Sequence, residues 1–241
     1  MEFPDPLIRG RLVQRYKRFL ADIVLENTDG GPSQITAHCP NPGAMTGLVA
    51  PDSEVWVSPA RNPKRKLPFT WELIRVGAHM VGINTAHPNA IAAEAINAGR
   101  ISELHGYATL RREVRYGENS RIDLLLEGDN QPPCYVEIKN VHLKRNDDID
   151  HGVAEFPDSV TARGAKHLRE LGNMVNEGAR AVMLYVVQRN DCDLFRLAAD
   201  IDPKYVAEFR EARRLGVEAI CYACDVSTNS ITIVRQLPID A

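Results

Sequence analysis

In CYVEIKNV, Cys134 to Val141, a carboxylate and an ammonium stand two residues apart in a run that otherwise has the composition of a buried strand. Side chains alternate along a strand, so Val136 and Ile138 point one way while Tyr135, Glu137 and Lys139 point the other. A surface strand with a solvated Glu and Lys is the plain alternative, and the neighbouring residues must decide. Just upstream, RIDLLLE places Asp123 in a second apolar run, with Ile122, Leu124 and Leu126 on the opposite face. Gly128 to Pro133, between the runs, holds Gly, Asp, Asn and two prolines, which predicts adjacent antiparallel strands on which Asp123 and Glu137 meet. Further upstream, in NAIAAEAINAG, Asn89 is expected to cap a helix and Gly99 to end it, with only Glu94 and Asn97 neither small nor apolar between them. A carboxylate on so apolar a helix is costly to bury unless it is paired or holds a cation.

Glu94, Asp123 and Glu137, with Lys139 beside them, are the ingredients of divalent-cation-dependent phosphodiester cleavage. Mg2+ takes hard oxygen ligands, usually only one or two carboxylates, and keeps its other positions for water and phosphate. Mg2+ or Mn2+ held there would lower the pKa of a water and neutralise charge on the phosphate. The Lys139 ammonium would orient that water or stabilise the charged transition state.

The elements that position these groups come from an ordinary soluble composition: 241 residues, 25% charged, net charge -3. No apolar run approaches bilayer length, and MEFPDPLIRGR lacks the layout of a signal peptide, so a cytoplasmic protein without a membrane partner is expected. Five scattered cysteines give no disulfide framework. Cys221 and Cys224 form a CxxC inside the strand-like EAICYACDV, whereas redox pairs usually open a helix, and no second pair offers zinc spacing. Residues 1–84 hold 10 Lys and Arg against 8 Asp and Glu, the remainder 19 against 24, so neither part is a strongly basic domain. Any nucleic acid must be bound through local patches.

Six β-rich runs separated by Gly, Pro, Asn and Asp clusters fill the first third and suggest a small barrel of the OB type or a sandwich. After His87-Pro88-Asn89 helical patterns alternate with strands, which predicts an α/β domain with a mixed sheet and a boundary near residue 85, dividing the chain into 1–85 and 86–241. In the first part Arg9, Arg11, Arg15 and Lys17 occupy one parity of a strand, with a bulge expected at Arg18 and Phe19. Like charges on one face repel unless something anionic meets them. Lys64, Arg65 and Lys66 add a basic loop, and Tyr16, Trp56 and Trp71 supply rings on which bases could stack; a polar outer face with core aromatics is the alternative. HCPNPGAM, His38 to Met45, is a tight loop in which a structural role for His38 is favoured over phosphate contact. NDDIDHGVAE, Asn146 to Glu155, reads as a solvated loop, although Asp147, Asp148, Asp150 and His151 are residue types found at metal sites. A helix over Ser159 to Glu177 has Val160, Gly164, Leu168, Leu171 and Val175 as its buried stripe, Arg163 and Lys166 off it, and His167 at its margin.

Asp123 followed by Glu137-Ile138-Lys139 resembles the D…ExK core of the PD-(D/E)XK nuclease superfamily, with Glu94 matching the preceding helix carboxylate and Ile122 departing from the proline of the motif. RYKRFLAD, HCPNPGAMTG, ISELHGY, SRIDLLL, CYVEIKNV and TARGAKHLREL are similar to the sugar fermentation stimulation protein A family, over nearly the whole chain. The resemblance implies an N-terminal OB-type domain joined to a nuclease-like domain, DNA binding without strong sequence preference, and a role in regulating sugar, especially maltose, metabolism. It also assigns Arg163 and Lys166 to substrate phosphates. Arg121 joins them as the place to look if the strand face proves merely solvated, and a homo-oligomer is compatible with the sequence. A non-catalytic DNA-binding regulator on a nuclease scaffold is the rival function, and a small-molecule phosphoesterase suits the basic face and aromatics less well than a polymer.

Overall fold

The computed structural model describes residues 1–26, 31–117, 120–145 and 152–240, so Asp147, Asp148, Asp150 and His151 lie outside the described residues. Apolar residues recurring with strand periodicity, among them Leu12, Ile23, Val55 and Trp71, give the first part of the chain a single inward face. Strands β1 (Ile8–Tyr16), β2 (Leu20–Leu25), β3 (Ser33–His38), β4 (Glu54–Pro59) and β5 (Phe69–Val76) lie in the order β3-β2-β1-β4-β5. A parallel contact of His38 with Thr70 joins β3 to β5 and closes a five-stranded barrel, which β6 (His79–Gly82) extends beyond β5.

The barrel corrects the expected basic face. Leu12 lies opposite Ile23 and Gln14 opposite Asp22, so Val13 is an extra residue in β1 and the parity flips there. Arg9 and Arg11 share the outer face, but Glu26 and Glu54 pair with Arg9, and Glu26 pairs with Arg11 at 3.0 Å. The anions that this face needs are the protein's own. Arg15, beyond the bulge, stands opposite the buried Ala21 on the other face and donates to the carbonyls of Arg18, Asn41, Gly43 and Ala44. Lys17 lies in the turn to β2, where it and Arg18 take left-handed φ angles of 47° and 61°. Trp71 is fully buried with its indole N–H donating to the Leu73 carbonyl, Trp56 is buried beneath the Arg75 guanidinium, and the half-buried Tyr16 donates to Asp22. These rings belong to the core and its rim. Lys64, Arg65 and Lys66 are exposed, with Arg65 donating to the Thr70 hydroxyl.

In the second part, α1 (Pro88–Asn97), β7 (Thr109–Tyr116), β8 (Ser120–Gly128), β9 (Gln131–Val141), β10 (Val153–Phe156), α2 (Ala162–Asn176), β11 (Arg180–Val187), β12 (Leu194–Leu197), α3 (Pro203–Leu215), β13 (Glu218–Val226), β14 (Ile231–Gln236) and β15 (Ile239–Asp240) follow in order. A mixed six-stranded sheet runs β14-β13-β11-β9-β8-β7, parallel at β9-β11 and β11-β13 and antiparallel elsewhere. Strand β11, RAVMLYVV, is apolar along almost its whole length because helices cover both faces of the sheet. Val182, Leu184 and Val186 join the core under α1, and Met183, Tyr185 and Val187 the core under α2 and α3. Cys221 and Cys224 fall in different cores, so the CxxC thiols face apart. A small parallel sheet, β10-β12-β15, overturns part of the loop expected over Asn146 to Glu155. Val153 to Glu155 is a buried strand, and the Glu155 carboxylate is tolerated there because Arg145 and Arg196 both pair with it. Val160, placed on the buried stripe of α2, instead precedes the helix and is 74% exposed.

Backbone and side chain stitch the two parts together. Gly82 N–H donates to the Gln188 carbonyl at 2.8 Å, and the Gln188 side-chain amide donates to the Asn84 carbonyl at 3.3 Å. The HCPNPGAM loop docks on Asp158, which accepts from the Met45 N–H; a Cβ at Gly43 would sit 2.1 Å from the Asp158 carboxylate, so the seam requires glycine there. Glu72, also buried, accepts from Ser58, Asn84 and His87, each at 2.7 Å, and so ties β4 and β5 to the start of α1. Burial works to raise its carboxyl pKa, but His87 and the two neutral donors outweigh it and hold the group below the ordinary 4.5. Glu72 therefore stabilises the fold fully above that value and loses its contribution as pH falls through the lower folded one. Glu72→Gln is expected to cost about 2 kcal/mol at neutral pH and to converge with the parent in acid, read from thermal melts across that range.

Candidate active site

Three strands carry the site. Arg112 opposite Leu124 and Val114 opposite Ile122 put Glu113 of β7 across from Asp123 of β8. Leu124 opposite Val136 and Leu125 opposite Tyr135 put Asp123 across from Glu137 of β9. The β8–β9 ladder stops at Leu124 and Val136, and beyond that point the Asp123 side chain takes over: its Oδ2 accepts the Ile138 N–H at 2.7 Å. The meeting of Asp123 and Glu137 follows from strand periodicity as expected.

Glu137 is 2% exposed. Its Oε1 accepts from Lys139 Nζ at 2.6 Å and lies against His167 Nδ1. Arg163 Nε donates to His167 Nε2 at 3.2 Å, which leaves the imidazole proton on Nδ1, facing Glu137. Burial would raise the Glu137 carboxyl, but Lys139 and His167 outweigh it and hold the group below its usual range. Burial, reinforced by the Glu137 charge, pushes Asp123 the other way, above the usual range, despite its hydrogen bonds. Two carboxylates facing each other thus carry opposite shifts. The remaining Glu137 oxygen, Oε2, is buried without any hydrogen-bond donor. A buried orphan acceptor on an ionised carboxylate, next to a second acid whose hydrogen bonds and Lys139 neighbour do not outweigh its burial and the Glu137 charge, fits a divalent cation. Among the described residues no three His, Cys, Asp or Glu groups converge as a metal cluster, so the acidic pair would do the holding.

The cleft, about 400 Å³, is lined among others by Asn89, Arg112, Glu113, Arg163 and His167 around Asp123, Glu137 and Lys139. Asn89 is no cap. His87 takes that position, and the Asn89 amide reaches Asp123 Oδ1 at 2.8 Å and Glu113 at 3.2 Å. Glu94 is the correction at this site. Five residues past Asn89, it is rotated about 140° around α1. It is half exposed and pairs with the Met1 amino group at 2.8 Å and with Arg100 at 3.8 Å. Arg163 lines the cleft, whereas Lys166 points into the groove between α2 and α3, 3.5 Å from Glu170, and Arg121 is exposed opposite Arg115 and outside the cleft lining. Arg112 and Glu113 both face the cleft although they are adjacent, which a regular strand forbids; the left-handed φ of 54° at Glu113 permits it. His167 had a legible signal, its i+4 spacing from Arg163.

Family comparison agrees with this architecture. Residues 13–83 match the SfsA N-terminal OB domain, and residues 86–230 match the sugar fermentation stimulation protein RE domain. The chain belongs to the SfsA family. Sugar fermentation stimulation protein homologs share its whole length: that of Rhodospirillum centenum is 57% identical with 100% of both chains covered, and that of Paramagnetospirillum magneticum is 55% identical over 100% of this chain and 98% of its own. SfsA of Pyrococcus furiosus, solved in complex with Ca2+, superposes with a TM-score of 0.87 over 100% of this chain and 98% of its own, at 23% identity. At that identity the archaeal SfsA speaks for the fold, a barrel followed by a mixed-sheet α/β domain with three helices. Among the described residues no helix of this SfsA-family chain is long and apolar enough to cross a membrane.

Proposed function

We propose that this SfsA-family protein binds DNA without strong sequence preference and hydrolyses its phosphodiester bonds with a divalent cation, in the cytoplasm and in connection with the sugar metabolism for which its relatives are named. The orphan Oε2 of Glu137, buried beside Asp123 and Lys139 in an open cleft, carries the reading. Asp123 and Glu137 would hold Mg2+ or Mn2+, hard cations of the class to which the Ca2+ of the Pyrococcus furiosus structure belongs. When bound, the ion would acidify a water and neutralise charge on the scissile phosphate. Lys139 donates to Glu137 and stands where its ammonium orients a nucleophile. Arg163 and Arg112 at the cleft wall offer guanidinium forks to phosphate oxygens. His167, its proton fixed by Arg163, keeps Glu137 ionised and aimed.

Incubation of plasmid and single-stranded DNA with Mg2+, Mn2+ or EDTA tests the reaction; binding without cleavage under every condition would leave a regulator on a nuclease scaffold. For the cation alone, Asp123→Asn is expected to weaken Mn2+ at least about tenfold by calorimetry, because the amide keeps an acceptor for Ile138 but removes the charge. Glu94→Gln should bind Mn2+ as the parent does, given its place at the amino terminus. An unchanged affinity for Asp123→Asn would remove that residue from the site.

A further inference from the structure

We propose that the β1–β2 turn, Lys17-Arg18-Phe19, is the element by which the barrel grips single-stranded DNA and leads it to the acidic cleft, an inference that rests on the reading of that cleft as nuclease-type. The face of β1 that carries Arg9 and Arg11 is neutralised by Glu26 and Glu54, so the barrel's grip on phosphate must lie elsewhere. The turn supplies it. Lys17 and Arg18 are consecutive non-glycine residues with positive φ, a conformation that side chains disfavour and that persists only where the surroundings impose it. Arg15 does so by donating to the Arg18 carbonyl at 3.0 Å. Neither Lys17 nor Arg18 forms an ion pair with a described residue, and both are exposed.

Arg18 lines a gap of about 360 Å³ between the barrel and the second domain, with Pro42 and Gly43 on its own side and His142 and Ser159 across it. Thr85 lines both this gap and the acidic cleft, so the two are contiguous. Next to Arg18 stands Phe19, 46% exposed, stacked on His38 with ring centroids 6.5 Å apart and planes within 24°. An exposed ring backed by a second ring is a platform for a nucleobase face, and only an unpaired, unstacked base offers that face. Val160, 74% exposed, lines the same gap from the second domain. An exposed apolar side chain of the second domain therefore faces the gap across from Arg18, next to which Phe19 is exposed, while the Asp158 carboxylate in the same lining is engaged by the Met45 N–H. Duplex DNA would present only phosphates here. A single strand can place phosphates on Lys17 and Arg18 and a base on Phe19.

The test is fluorescence anisotropy in EDTA with a labelled oligo-dT of about 20 nucleotides and a duplex of the same length, using the full chain and the variants Arg18→Gly, Phe19→Ala and, as a control, Arg11→Ala. The parent should prefer the single strand. Phe19→Ala should lose roughly tenfold or more of that affinity, as for other stacked bases. Arg18→Gly should weaken binding and flatten the logarithmic salt slope by about 0.7. Its thermal midpoint should not fall, since glycine relieves the left-handed backbone. Arg11→Ala should keep the parent slope. If the parent binds neither oligonucleotide, the DNA reading itself fails and takes the turn with it. If the parent binds but Arg18→Gly and Phe19→Ala bind alike, the turn is wrong while the cleft reading stands. If the variants lose duplex and single strand equally, the preference for an unpaired strand is refuted.

Discussion

Lys139→Ala is expected to slow phosphodiester cleavage by about two to three orders of magnitude, the usual cost of removing a charged group aimed at the transition state. The residue is well placed for it: its ammonium touches Glu137 Oε1 in a buried position and opens onto the cleft that Arg163 and Arg112 flank. DNA affinity should change less than about threefold, since the amine is one cation among several in the cleft. The variant also strips Glu137 of a counter-charge, leaving His167 alone to hold the buried carboxylate. Its thermal midpoint should therefore fall in EDTA and recover with Mn2+, as the cation replaces the missing charge. Single-turnover cleavage and melting curves read both effects. A variant that cleaves at the parental rate would dismiss Lys139 from the chemistry, and one that melts identically with and without Mn2+ would dismiss the cation from the acidic pair.

Arg15→Ala is expected to destabilise the protein by about 3 kcal/mol, near the top of the range for a surface-accessible side chain, because one guanidinium serves four backbone carbonyls. Those carbonyls would be left to water or to nothing, and the Asn41 to Ala44 loop would lose its anchor to β1. Since that loop docks on Asp158, the damage should reach the seam between barrel and α/β domain. Denaturant melts with hydrogen exchange at Met45 report it. Exchange at Met45 unchanged from the parent would show that Asp158 alone holds the loop.

Arg15 also shows where sequence patterning stops being informative. Strict alternation put it beside Arg9 and Arg11, and the single extra residue at Val13 moved it to the opposite face. A bulge leaves no obvious mark in composition, so every inference beyond it inherits the wrong parity. Asp123 and Glu137 were legible because the turn-rich connection makes their strands neighbours, and the one register shift, between Leu126 and Gly128 beside the turn, still leaves the two carboxylates opposite each other. Glu94 was not, since its apolar helix suggested burial while its azimuth depended on how α1 packs; the polar group that α1 turns toward the cleft is Asn89, at its first turn. Glu113 was hidden in a backbone conformation that no propensity predicts, whereas His167, at a stripe margin, was marked only by its i+4 spacing from Arg163. The barrel and the mixed sheet, in contrast, follow from the placement of Gly, Pro and Asn clusters and the change of period after His87. Strands of two to four residues, as in β10, β12 and β15, are too short to show any period.

Asp123 acts as a surrogate for the missing stretch of the β8–β9 ladder, and this has a thermodynamic consequence. A loop carboxylate must be immobilised when a cation arrives, and that ordering weakens the complex; here folding has already met the cost, because the side chain is part of the hydrogen-bonded sheet. The pocket is preorganised. Chelation should then leave the secondary structure, the seam and the grip on DNA intact, and adding Mn2+ should switch chemistry on without any change in shape. With the proposed function, a protein so built would separate occupancy of DNA from reaction upon it, and the concentration of free cation would be the variable that decides which of the two occurs.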